Sequence, residues 1–230
     1  MDDVGPRELH RQFGSLVRGL EGDLRHVAGA ETRPAILIER LASLEGAVPI
    51  GTRARFLMTT YVEGELVAYG WRTDLRVTSG IAGVVPGLAE PGVGLADESE
   101  YYGDGSVGVQ TGISRVWVET LVRVPASEPA PESPDAWLAS VLRNPNEPHV
   151  EPLHPVARRH HLLGSRVVHD LGDGRFEQDL RAVTPSLMSK DGNLVVGVVE
   201  ECQWYRWNKR SYEVTDRVVG HLPIEKVWVE

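Results

Sequence analysis

Residues 194–219 read LVVGVVEECQWYRWNKRSYEVTDRVV, and the expected fold depends on how that run is interpreted. The sequence predicts two long antiparallel strands joined by a turn at Asn208-Lys209-Arg210-Ser211. This register sets Trp207 opposite Tyr212, Arg206 opposite Glu213 and Trp204 opposite Thr215, each pair favourable by about 0.2–1 kcal/mol. A one-residue slip would break all three at once. On this reading the chain is organised around a β-hairpin.

Similar patterns lie upstream. Gly172-Asp173-Gly174 is a tight-turn signal between strands at Arg166–Leu171 and Arg175–Val183, and Asp191-Gly192 turns the chain into the 194–219 run. A last strand is expected through Ile224–Val229. From Thr52 the apolar period is two. With a turn at Glu63-Gly64, Phe56 faces Trp71 and Met58 faces Tyr69. Arg115–Val124 reads as a strand. The segment from Ser79 to Gly112 is rich in Gly and Pro and carries Glu90, Asp97, Glu98, Glu100 and Asp104 around Tyr101-Tyr102. It is expected to be a long surface loop, the kind of segment that forms lids or binding loops. Its YGDGSVG piece lacks the Lys-Ser/Thr ending of a phosphate loop.

Two helices are expected near the N-terminus. In residues 6–28, Leu9, Phe13, Leu16, Val17, Leu20, Leu24 and Val27 form one apolar stripe. A second helix is read from Pro34 to Glu45, with Ile38, Leu41 and Leu44 inward and Gly46 past its end. The fold class is therefore α+β and β-dominated, with two N-terminal helices packed on a largely antiparallel sheet of long hairpins. The expected organisation is an N-terminal region 1–125, a Pro-rich linker with a short helix over 126–156, and a C-terminal β region 157–230, either as separate parts or as one continuous domain.

One echo runs through the chain. Leu57-Met58-Thr59 and Leu187-Met188-Ser189 each precede a turn glycine, and Arg115-Val-Trp-Val-Glu119 matches Lys226-Val-Trp-Val-Glu230. The gap lengths differ, so a duplication and a chance recurrence of strand motifs both fit.

The 230 residues carry 24 Lys and Arg against 33 Asp and Glu, a formal net charge of −9. This disfavours non-specific binding to nucleic acid, which needs a positive field. No apolar run approaches the roughly 20 residues of a membrane-crossing helix, and the acidic start MDDVGPRELH is unlike a signal peptide. A lone Cys202 cannot form an intrachain disulfide. The expectation is a soluble, cytoplasmic protein.

No motif specifies a chemistry, but three constellations are candidates. His149, Glu151 and His154 are ligand types for a divalent metal such as zinc or iron. The prolines at 148, 152 and 155 rule out a helical HExxH arrangement. His169 and Glu177 would face each other across the Gly172–Gly174 hairpin, a pair suited to acid–base catalysis or to a solvated sheet face. Trp204, Tyr205, Arg206 and Trp207, with Tyr101 and Tyr102 in the long loop, are residue types enriched where ligands or protein partners dock. Two functions follow. One is a non-catalytic binding or assembly protein that engages a protein, a second copy or a small molecule through its hairpins and the 79–112 loop. The other is an enzyme acting on a small polar substrate by metal-assisted or His/carboxylate chemistry.

Overall fold

The computed structural model describes residues 33–44, 48–84, 87, 89–103, 108–124, 147–156, 161–172, 174–209 and 219–230. These form two antiparallel sheets. The first contains β1 (Arg33–Arg40), β2 (Arg53–Val62), β3 (Glu65–Val84), β4 (Pro91–Asp97), β5 (Val109–Gly112), β6 (Val116–Val124) and β7 (His149–Pro152). The second contains β8 (His154–Pro155), β9 (Arg166–Gly172), β10 (Arg175–Met188), β11 (Leu194–Glu200), β12 (Gly220–Pro223) and β13 (Val227–Val229). Two short helices, α1 (Glu98–Tyr101) and α2 (Glu201–Lys209), follow β4 and β11.

The α+β expectation is overturned, because the described residues are mostly strand and their first α-helix begins at Glu98. The stretch read as a second helix, Pro34 to Glu45, is strand β1 through Arg40, followed by a 3-10 turn at Leu41–Ser43. Ile38, Leu41 and Leu44 fit a helical stripe, yet so short an apolar run fits either period. Pairing decides it: β1 lies between β6 and β7, with Ala35, Ile36 and Ile38 buried. The helix expected at 6–28 lies outside the described residues.

The 194–219 hairpin is also corrected. Among its described residues Leu194–Glu200 is strand and Glu201–Lys209 is helix, and β12 returns to pair with β11. The expected partners Tyr212, Glu213 and Thr215 lie outside the described residues. The described residues of 79–112 are not a loop: they hold the end of β3, then β4, α1 and β5. The Glu63-Gly64 turn does form, with left-handed φ of 53° and 89° as a two-residue hairpin turn requires. Its expected register holds from Val62–Glu65 to Thr59–Ala68. A bulge then sets Leu57 against Trp71 and Phe56 against Arg72. At the Gly172–Gly174 turn, His169 pairs with Glu177, the register read from the sequence.

The two sheets share one strand order. The first runs β5-β4-β3-β2-β6-β1-β7 and the second β12-β11-β10-β9-β13-β8, so six strands correspond one to one. The registers correspond too. Arg53 pairs with Arg76 as Arg166 pairs with Arg181, Ala54 with Val118 as Val167 with Val229, and Arg76 with Ala96 as Arg181 with Val199. A bulge in the same place leaves Asp74 and Asp179 left-handed, at φ 59° and 63°. Both Val-Trp-Val-Glu runs follow a 3-10 turn, at Ile113–Arg115 and Ile224–Lys226, and pair with the equivalent strands β2 and β9. The Leu-Met-Thr/Ser echo does not correspond, since Leu57 lies on β2 and Leu187 on β10.

Strands β1–β6 make up a first unit and β7–β13 a second, and each unit has its own core, built from equivalent positions. Ala54, Leu75, Val93 and Val116 pack in the first unit, and Val167, Leu180, Val196 and Val227 in the second. A third cluster at the boundary mixes the two: Ile36, Ile38 and Trp117 with Leu153 and Val168. There Trp71 meets Trp117 edge to face at 5.5 Å. The two units are joined by a backbone ladder between β1 and β7, with Ile36 opposite Glu151.

Candidate functional site

The densest constellation of charged side chains lies where the two units meet. Arg53 and Arg166 open β2 and β9, and Arg76 and Arg181 sit beside them on β3 and β10. The bulges swing Asp74 and Asp179 out of strand alternation and across to the other unit. α1 and α2 then supply Glu98 with Tyr102 and Glu201 with Tyr205. A helix rises about 1.5 Å per residue, so residues four apart reach one spot, whereas in a strand they would be about 13 Å apart. This explains why Glu201–Lys209 bends into a helix despite its strand-like aromatic alternation.

The contacts come in equivalent pairs. Arg76 Nε donates to Glu98 at 2.9 Å, and Arg181 Nε lies 2.9 Å from Glu201. Across the boundary, Arg76 Nη2 donates to Glu201 at 2.6 Å, and Arg181 Nη2 reaches Glu98 at 3.4 Å. Arg53 Nε donates to Asp179 at 3.0 Å, and Arg166 Nη2 lies 2.6 Å from Asp74. Arg76 Nη1 donates to the Gly51 carbonyl at 2.8 Å, and Arg181 Nη1 to that of Gly164 at 2.9 Å. Tyr102 and Tyr205 stack on each other at 5.8 Å, with Arg76 over one ring and Arg181 over the other. The Tyr205 hydroxyl donates to Glu98 at 2.9 Å. Glu98 and Glu201 are 1% and 0% exposed.

Burial alone would raise the Glu98 carboxyl, but Arg166 and Arg76, with a hydrogen bond from Tyr205, hold it below the ordinary carboxylate range. Asp179 is likewise held down against its burial, by Arg76 and Arg53. Burial would lower Arg53, Arg76 and Arg166, yet their carboxylate partners raise all three. Burial, followed by the charge of Glu98, pushes Tyr205 up to about 12, and burial also raises Tyr102. Each of these groups is locked into one charge state near neutral pH. Glu230 differs, because burial outweighs Arg53 and raises its carboxyl.

A cavity of about 520 Å³ borders the cluster, lined by Ile36, Arg55, Glu119, Glu151, Arg166 and Glu230 among others. The glutamates that end the two Val-Trp-Val-Glu runs therefore face one space. Arg55 bridges Glu119 and Glu151, with two bonds to the Glu151 carboxylate at 3.0 and 2.8 Å.

The residues singled out from sequence are distributed as follows. His149 Nε2 lies 3.4 Å from Glu151, whose carboxylate Arg55 already engages, while His154 lies on β8 in the second sheet. Among the described residues no three His, Cys, Asp or Glu side chains gather as a metal site. His169 Nδ1 lies 3.2 Å from Glu177. Tyr101 and Tyr102 meet edge to face at 5.1 Å and come together with Tyr205, two stretches far apart in sequence. Trp204 packs over Gly164, Arg206 is exposed and Trp207 half-buried. Cys202, raised by burial and by Glu200, is half-buried.

Sequence reasoning missed the arginines and Glu201. The signal was present as paired motifs: Gly51-Thr-Arg53 and Gly164-Ser-Arg166, Asp74-Leu-Arg76 and Asp179-Leu-Arg181, Glu98-x-x-x-Tyr102 and Glu201-x-x-x-Tyr205. No helix among the described residues is long and apolar enough to cross a membrane. No family model, no characterised protein and no solved structure matches this chain.

Proposed function

We propose that this is a non-catalytic binding or assembly protein, a frame of two locked β units whose hairpin tips engage a protein partner or a second copy. The observation that carries this reading is the β2–β3 tip. There Tyr61 is 75% exposed, Val62 51% and Val67 42%. Ile81 and Val84 near the end of β3, and Leu187 and Met188 at the end of β10, extend the same exposure to two further hairpin ends. Apolar side chains gathered at tips are costly to leave in water and typify contact surfaces. The cross-paired cluster supports a framing role, since general acid–base work calls for a group that titrates near the working pH. Tyr102 and Tyr205 are engaged by each other and by arginines, so the frame uses them.

The test places a photo-crosslinking amino acid at Tyr61 and, as a control away from the hairpin tips, at exposed Lys226, with sedimentation of the Tyr61→Ser/Val62→Ser variant alongside. Adducts confined to position 61, and an assembly lost in the variant with unchanged thermal stability, are expected. Equal labelling at both positions and identical sedimentation would remove the proposal.

The His169–Glu177 contact favours a second reading, an enzyme using acid–base chemistry on a small polar substrate. Its metal-assisted form rests on His149, Glu151 and His154. Elemental mass spectrometry of untagged protein tests that form: stoichiometric zinc, iron or manganese lost with His149→Ala would support it, and absence of bound metal would sink it.

A further inference from the structure

We infer that the two units derive from one duplicated unit, and that the first unit still carries a complete surface for pairing with a second copy of itself. The evidence is that three ion pairs across the boundary occur twice with the roles exchanged. Arg53–Asp179 is answered by Arg166–Asp74, Arg76–Glu201 by Arg181–Glu98, and Arg53–Glu201 by Arg166–Glu98. The backbone obeys the same rule. In the β1–β7 ladder Ala35 faces Pro152 while Leu37 faces Val150, and Ile36 faces Glu151 at the centre. This is an isologous interface, in which residue i meets j and j meets i, within a single chain.

In two copies of the first unit every such contact has its partner already in place. Arg53 would meet Asp74, Arg76 would meet Glu98 and Tyr102 would stack on Tyr102. At the centre of the ladder Ile36 would face Ile36, apolar on apolar.

The second unit differs at that central position. Two copies of it would set Glu151 against Glu151, and like charges directly opposite are unfavourable. In the chain Glu151 is instead matched by Arg55, whose equivalent in the second unit is Val168. The Arg55–Glu151 pair thus selects the mixed pairing, and the first unit alone keeps a self-compatible centre. The inference stands whether or not the hairpin tips hold a partner.

The experiment uses the whole chain carrying a protease site within 127–135, cleaved after folding so that both halves stay present. Isotope-labelled and unlabelled nicked protein are mixed at high concentration and read by native mass spectrometry. Besides first–second pairs that exchange label, first–first pairs are expected. Second–second pairs are expected only when the chain also carries Glu151→Ile. First–second pairs alone would overturn the inference. So would loss of all pairs with collapse of amide protection, or second–second pairs formed equally with and without Glu151→Ile.

Discussion

Tyr102 and Tyr205 stack across the boundary between the two units, 5.8 Å between centroids and 15° between planes. Their hydroxyls are not equivalent in use. That of Tyr205 donates to Glu98 and accepts from Arg181 Nη2, each at 2.9 Å. Tyr205→Phe keeps the stack and removes one donor from a buried carboxylate, a change worth about 1.5–3 kcal/mol for a hydrogen bond to a charged group. Urea unfolding should show that loss. Spectrophotometric titration should show the variant lacking a phenol that ionises near 12.

Glu98 and Glu201 are the buried anions on which the arginines converge. Glu201→Gln leaves the guanidiniums of Arg76, Arg166 and Arg181 short of a counter-charge. Breaking a buried pair from one side costs about 3–5 kcal/mol. Chemical denaturation should show a loss in that range, while a surface change such as Lys190→Gln should stay within about 0.5 kcal/mol.

The acid limb of stability follows from the carboxylates. Glu98, Asp179 and Glu151 are held below their ordinary values in the folded chain. Their contribution is present above the unfolded carboxylate value, roughly pH 4, and is lost as pH falls through the folded values. Glu230, raised in the fold, has the opposite sign: its contribution is present below roughly pH 4 and lost as pH rises through its folded value. Below about pH 4 the Glu230 contribution is already complete and only the three lowered groups still change, so the urea midpoint should fall as pH drops from about 4, and less steeply in Asp179→Asn. A midpoint that rises toward acid would contradict this assignment.

Gly51 and Gly164 hold equivalent turns at φ 89° and 80°. A Cβ on Gly51 would sit 2.9 Å from the Tyr101 hydroxyl, and on Gly164 3.3 Å from the Trp204 ring. The left-handed backbone alone costs an alanine about 1–2 kcal/mol. Gly51→Ala and Gly164→Ala should both lower the thermal midpoint, Gly51→Ala by more because its contact is tighter.

Much of the β architecture was legible in the sequence. Glu63-Gly64 and Gly172-Asp173-Gly174 announce hairpins because only certain residues take left-handed turns cheaply. The repeated Val-Trp-Val-Glu marks a strand that takes the equivalent place in each sheet. The paired Asp-Leu-Arg motifs were equally visible, but short charged motifs gain meaning only when their partners are known. Residues 34–43 and 201–209 were misread because short apolar or aromatic runs satisfy a strand period and a helix period alike.

What the sequence determined by itself was local: turn chemistry, β-branched strands and the His169–Glu177 register, all set by neighbours a few residues apart. What only the tertiary structure decided was which of two local options each ambiguous segment takes. β1 is a strand because β6 and β7 supply backbone partners on both sides. α2 is a helix because its rise carries Glu201 and Tyr205 into one buried cluster with Arg76, Arg181 and Glu98. A buried charge must find its counter-charge, and here the counter-charges come from the other half of the chain.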